Sequence, residues 1–281
     1  MGVFTRRLEV LREWTERDDG TLEGPAISTE EINNIYYARA QPGSTGREKA
    51  QNALDAADSA AGINKVVIGG SVDDLSGTAA EVTEGYLIDQ SLEIGDRTIV
   101  EINSYLFLES GADDNVLRTK NIPDTHDKIV VKGSGTVDCN GSNQTQFDRE
   151  TGPVVQNLGI RLVNVTDVTV TGITLKRSNA WGIKIDGGSI IDAHNIHFEQ
   201  GTGTPNRDGV HVLAAADEIN ISHITGFCQD DVVAVNPSPE DNFNEGDDGD
   251  ISSVSIKDIA ASSNHGIVRV FHAGSYTVSS V

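Results

Sequence analysis

The stretch "GVHVLAAADEINISHI", residues 209–224, carries two apolar rhythms in succession. Val210 and Val212 alternate with other residues, the period of a strand. Ile219, Ile221 and Ile224 then follow the order apolar-x-apolar-x-x-apolar. The first rhythm recurs in GIRL (159–162), GIKI (182–185), VVAV (232–235) and GIVRV (266–270). The second recurs in Val168, Val170 and Ile173, in Ile191, Ala193 and Ile196, and in Val254, Ile256 and Ile259, with Tyr276 and Val278 beginning another. These second units start 23, 28, 35 and 22 residues apart. Fixed strand pairs separated by insertions of variable length predict the coils of a parallel β-helix, in which like strands stack about 4.8 Å apart and apolar residues ladder inside. A β-sandwich would need antiparallel hairpins with two-residue turns, and Asn-Gly between strands is scarce here. The expected class is therefore all-β, a solenoid over residues 63–281.

Upstream of the repeat the same strand grammar reaches back to residue 63, in KVVIGG, GYLIDQSLEI, TIVEINSYLFLES and KIVVKGSGTVDCNG, each bounded by Gly, Asp or Asn. Before residue 63 the patterning predicts helices. Val3, Phe4, Leu8, Leu11 and Trp14 form an apolar stripe on a charged segment, so residues 1–26 read as an amphipathic docking helix and linker. Residues 27–62 read as a helical neck and cap. Ser28 and Glu31 have capping-box spacing ahead of Ile32, Ile35 and Tyr36. A further helix over 47–61 places Ala50, Ala53, Leu54 and Ala57 on one face, with Gly62 as its stop signal. The first coil of a solenoid exposes strand edges and core, and this Ala-rich helix is assigned to cover them. At the other end GSYTVSSV (274–281) stops inside a coil, which a symmetry-related chain is expected to cover.

Acidic residues outnumber basic ones 43 to 21, giving a net charge of −22. Such a surface repels nucleic acid and anionic membranes, so neither is an expected partner. It suits a very salty medium, where screening within a few Å removes the self-repulsion. The twin-Arg pair Arg6–Arg7 is followed by no apolar segment, and no run of 18 apolar residues occurs, so no signal peptide and no membrane insertion are expected. Cys139 and Cys228 are too few for a disulfide framework or a four-ligand zinc site and read as small buried hydrophobes.

Aligning the repeats on Val212, Val235 and Val270 puts Asp208, Asp231 and Gly266 in one column. Arg207, Asp230 and His265 fall in the next, and Asn206, Gln229 and Asn264 in a third. Adjacent coils thus gather three carboxylates and a histidine that the chain keeps up to 57 residues apart. The shared register carries this reading, because acidic pairs as such are common here (Asp18–Asp19, Asp73–Asp74, Asp113–Asp114, Asp247–Asp248). The acidic stretch 238–250 reads as a solvated loop, with a Ca²⁺-binding lip through Asp247, Asp248 and Asp250 as the alternative. The sequons at Asn140, Asn143, Asn164 and Asn220 read as turn chemistry.

The motifs NRDG (206–209), CQDDVVAVN (228–236) and NHG (264–266) resemble the NTDG, NQDDCVAVN and GHG motifs of polygalacturonase-type glycoside hydrolases, family 28, which are right-handed parallel β-helices. The layout of the early segment is similar to that of the wider pectate-lyase-like superfamily, which includes trimeric virus tail spikes. The resemblance implies Asp230 as the general acid on the leaving oxygen, Asp208 and Asp231 as the groups that hold and deprotonate water, and His265 as a tuner of the acid. It implies hydrolysis with inversion and needs no metal or other cofactor. Asn206, Arg207, Gln229 and Arg269 would touch substrate, and Trp181, one coil below Asp208, would stack on a sugar if its ring is exposed. Two departures stand out. Arg207 replaces a Thr and is placed to pair with Asp230. The family's Arg-x-Lys has no counterpart, since Arg269 lies closer to the histidine motif, so a polyuronate is not implied. The expected partner is a surface polysaccharide or a glycoprotein glycan. Two settings follow. One is a homotrimeric spike or fibre on the virion of a halophile's virus, docked through its N-terminus. The other is a free-standing hydrolase of a salt-loving microbe.

Overall fold

A computed structural model of the 281-residue chain describes residues 6–8, 15–16, 22–23, 30–122, 124–145, 158–201, 206–213, 215–237, 249–271 and 276–281. Parallel pairing from coil to coil dominates it. One seven-stranded sheet runs from Leu92–Ile94 through Leu117–Thr119, Ile160–Val163, Ile183–Asp186, Val210–Leu213 and Val233–Asn236 to Val268–Val270. Ile160, Ile183, Val210, Val233 and Val268 share one row of this sheet, and Val212, Val235 and Val270 share another. A 14-stranded sheet supplies the other walls. There Val168, Ile191, Ile219 and Val254 stack, as do Val170, Ala193, Ile221 and Ile256. Both repeated units are strands in the register the sequence predicts, and their inward residues form one continuous buried core. The chain is an all-β parallel β-helix.

The two-residue gap in the second unit has a physical cause. The strands Ile190–Glu199, Glu218–Cys228 and Val254–Ser263 each pass through one left-handed residue, at Asn195, His223 and Asp258, with φ of 55°, 54° and 56°. Register places these over Gly133 and Gly172, whose φ values are 137° and 79°. One left-handed residue bends the strand and resets its alternation, so that Ile196, Ile224 and Ile259 again face the core. Gly, Asn, Asp and His are the residues that bear this conformation at least cost.

The helix Gly46–Asp58 opens on a capping box between Thr45 and Glu48 and buries Ala50, Ala53, Leu54 and Ala57 in the coil core. An Asp73 carboxylate oxygen accepts the Gly46 N–H at 2.9 Å, and Gly62 beyond the helix has φ 77°. The expected cap is thus present. The neck is not helical throughout. Glu30–Tyr37 is a strand that pairs in parallel with Ile63–Gly69. Arg6–Leu8, expected to be helical, pairs antiparallel with that strand, and Thr15–Glu16 pairs with Leu22–Glu23. Tertiary context overrides the helical spacing: Ile32, Ile35, Tyr36 and Tyr37 are good strand formers beside an open sheet edge, and pairing satisfies that edge's backbone groups. Val3, Phe4, Leu11, Trp14 and Ser28 lie outside the described residues, as do Asp247 and Asp248 of the acidic loop.

At the far end Val278 bridges Ile251 and the Val254 N–H reaches Ser280 O, so Val281, not Tyr276, continues the Val254 row. Val268 and Val270 of the last strand are 44% and 38% exposed. Asn140 and Asn164 sit at φ 50° and 51°, in keeping with their reading as turn residues, whereas Asn220 lies inside the strand Glu218–Cys228. Both cysteines are free and buried. Among the described residues no helix is long and apolar enough to cross a membrane.

Candidate active site

The acids stand where strands of the seven-stranded sheet begin. The pairing of Val212 with Val235 and Val270 carries back along the strands to the column Asp208, Asp231, Gly266. Backbone bonds from Gly209 N to Asp231 O, and from Val232 N to Gly266 O, continue that register up to the site. The side chains converge: one carboxylate oxygen each from Asp208, Asp230 and Asp231 lies within 4.8 Å of the others. Gly266 makes room for this, since a Cβ there would lie 2.5 Å from Asp231 Oδ1.

Each acid has its own surroundings. Asp208 is 4% exposed, and its Oδ2 lies 2.6 Å from Nδ1 of buried His211. Asp230 Oδ2 accepts the Asn206 N–H at 3.1 Å, while Oδ1 lies 3.5 Å from His265 Nδ1. Of the three carboxylate side chains that of Asp230 is the most open, 13% exposed against 6% for Asp208 and 5% for Asp231. Asp231 meets Arg269 Nη1 at 3.4 Å. Burial first, and then the charges of Asp208 and Asp230, push the Asp231 carboxyl above the ordinary range; Arg269 opposes them. Three carboxylates this close could draw a cation, but each already has a protein donor and Arg269 brings fixed positive charge. The donor set favours acid–base work over metal ligation.

The neighbouring residues divide. Gln229 Oε1 accepts from Asn264 Nδ2 at 2.9 Å, which confirms their shared column. His265 and Arg269 are mostly exposed beside the acids, and the Arg269 guanidinium lies 4.1 Å from the centre of the Phe271 ring. Arg207 keeps its column, but its side chain does not make the expected pair with Asp230, whose partners are Asn206 N and His265. Arg207 is buried, its Nη1 lies 3.0 Å from where a Cβ on Gly201 would stand, and its charge is felt at Cys139, so the side chain runs back into the coil. Burial pushes its pKa down. Its backbone serves the cluster, the carbonyl accepting from Gln229 N and Asp230 N at 3.2 and 3.3 Å. Trp181 occupies the predicted column but is 7% exposed, so it is no open platform for a sugar. Its ring packs edge-on to His211, centroids 5.2 Å apart, and Lys184 Nζ lies 5.4 Å from its centre.

Sequence reasoning missed a second polar group next to this site. Arg161, Lys184 and His211 share one outward row, and Lys184 is bonded to Asp186 at 2.7 Å with both side chains fully buried. Burial raises the Asp186 pKa against the pull of Lys184, Arg161 and His211. The signal was present in the middle polar residue of GIRL, GIKI and GVHV, which strand alternation turns outward.

Stacked coils that bring three acids together beside the exposed His265 and Arg269 fit a glycan-binding β-helix. The description "Glycosyl hydrolases family 28" matches residues 86–278, more than half of the chain and all of the site, and the protein belongs to that family. No curated protein matches the chain. Two solved structures are similar to it. One, from Parabacteroides merdae, is classed with the glycosyl hydrolases, with 12% identity, a TM-score of 0.44, and coverage of 84% of this chain and 96% of that one. The other is the Streptococcus pneumoniae surface protein and adhesin PfbA, with 11% identity, a TM-score of 0.36, and coverage of 87% and 100%.

Proposed function

We propose that the protein binds a polysaccharide or a glycoprotein glycan across the acid cluster and hydrolyses it. The convergence of Asp208, Asp230 and Asp231 within 4.8 Å, from two adjacent coils, carries this reading. Asp230, the most open of the three and the one beside His265, delivers the proton to the leaving oxygen. Asp208 and Asp231 hold the attacking water. A base works best when its pKa lies near the working pH, so the raised Asp231 carboxyl suits the role of taking the water's proton. The carboxylate oxygens stand closer than the roughly 6.5–9.5 Å separation usual in inverting enzymes. Inversion is therefore proposed from family membership and not from spacing.

The test is reducing-end release from a panel of neutral and acidic polysaccharides, with the anomer of the fresh product read by NMR. Asp230→Asn should remove activity while leaving the fold intact. Unchanged cleavage by that variant would end the assignment.

For its setting we propose a high-salt medium outside the cell, which the net charge of −22 supports. Within that setting, use as a homotrimeric virion spike is the finer reading. Sedimentation of the protein at high salt tests it, and a monomer at every concentration would count against it.

A further inference from the structure

We propose that His211 is a positioning residue: it donates its Nδ1 proton to Asp208 Oδ2 and so presents the other Asp208 oxygen to the attacking water. This rests on the hydrolytic reading above. His211 and Asp208 leave the same strand start three residues apart, are 7% and 4% exposed, and meet at 2.6 Å. At that distance one proton must lie between them. The His211 ring is fixed from the preceding coil by the edge of Trp181, with Lys184 Nζ beyond that ring. Ala234, the next residue in its row, has no side chain able to compete for it.

The placement of the proton follows from what surrounds the ring. His211 Nε2 is buried and has no hydrogen-bond partner among the described residues. A proton there would be an unsatisfied buried donor, which is unfavourable. The charged groups facing this pair are Lys184 and Asp186 on the preceding coil, with Arg161 one coil further, and Asp230 and Asp231 on the following coil. The Cys228 thiol also borders Asp208. One proton, held on Nδ1, meets every contact. Asp208 Oδ2 is then committed to His211, whereas Oδ1 has no protein hydrogen bond among the described residues and is the oxygen left for water. Without the donor, repulsion from Asp230 and Asp231 turns the carboxylate away.

Two variants and one spectrum test this. His211→Leu removes the donor; His211→Asn puts an amide N–H close to where Nδ1–H stood. On the best-cleaved glycan, His211→Leu should lose about 10²-fold in kcat, the scale of a misplaced reacting group, with KM nearly unchanged. His211→Asn should recover most of that loss. Equal losses in the two variants, or wild-type kcat in His211→Leu, would overturn the proposal while leaving the hydrolytic reading in place. The ¹⁵N spectrum of the wild-type imidazoles should show His211 protonated at Nδ1 alone, and a proton at Nε2 would overturn the proposal even if neither variant folds. A wild type that cleaves no glycan removes the hydrolytic reading itself, and with it any positioning role, whatever the spectrum shows.

Discussion

Two faces of the seven-stranded sheet, made by the same strands, obey opposite rules. The inward row reads Ile160, Ile183, Val210, Val233, Val268, nearly the same side chain at every level. The outward row reads Arg161, Lys184, His211, Ala234, Arg269 and changes at each step. A stacked core asks only for a β-branched or leucine-sized group at each level, since each rung meets a copy of itself. A site needs several different groups within reach of one point, so it must break the repetition. Variation between coils is therefore the mark of function in this molecule, and uniformity the mark of structure.

Substitutions sharpen the contrast, because the outward face should tolerate loss in stability terms where it is open and the inward face should not. Asp230→Asn should lower glycan cleavage by about 10²–10⁴-fold, the range of general acid–base catalysis, without moving the unfolding midpoint. Steady-state rates and a denaturant titration on one preparation check both halves. Lys184→Met tests an outward position that is fully buried, where the rule should break down. It leaves the Asp186 carboxylate without its cation and should cost about 3–5 kcal/mol. A midpoint equal to wild type would show that the pair is not needed. Ile221→Ala on the inward face should cost about 2–5 kcal/mol in the same assay, with catalysis per folded molecule retained.

The smallest effect concerns pH. The Asp231 carboxyl is raised in the fold, so between its ordinary value of 3.8 and its folded value the native state binds more protons than the unfolded chain. Stability then falls as pH rises through that window, and the loss persists above it. Asp231→Asn should raise the melting temperature at neutral pH and give no gain below pH 3.8. An equal shift at both pH values would rule out the ionisation as its cause.

The core ladder was legible because period-two alternation, repeated at each coil, admits few other folds. The acid column was legible for the same reason: once Val212, Val235 and Val270 are aligned, Asp208 and Asp231 follow. The strand at Glu30–Tyr37 was not, since its apolar spacing also fits a helix and only the neighbouring sheet edge decides between them. Arg207 and Trp181 were placed in the right columns, but the columns did not fix their exposure, and both are buried. A column says which residues are neighbours and leaves open which way a side chain runs at a strand's start, where alternation lapses.

The sequence by itself determined the coil, its register and which acids share a level, because these depend on the order of apolar and polar residues along the chain. Only the tertiary structure decided the rest: that Arg207 turns into the coil, that Trp181 braces His211, and that Asp231 holds its proton more tightly than an ordinary carboxyl. Burial and electrostatic fields depend on what lies across a gap of a few Å, and several of the groups that close that gap come from neighbouring coils, remote along the chain.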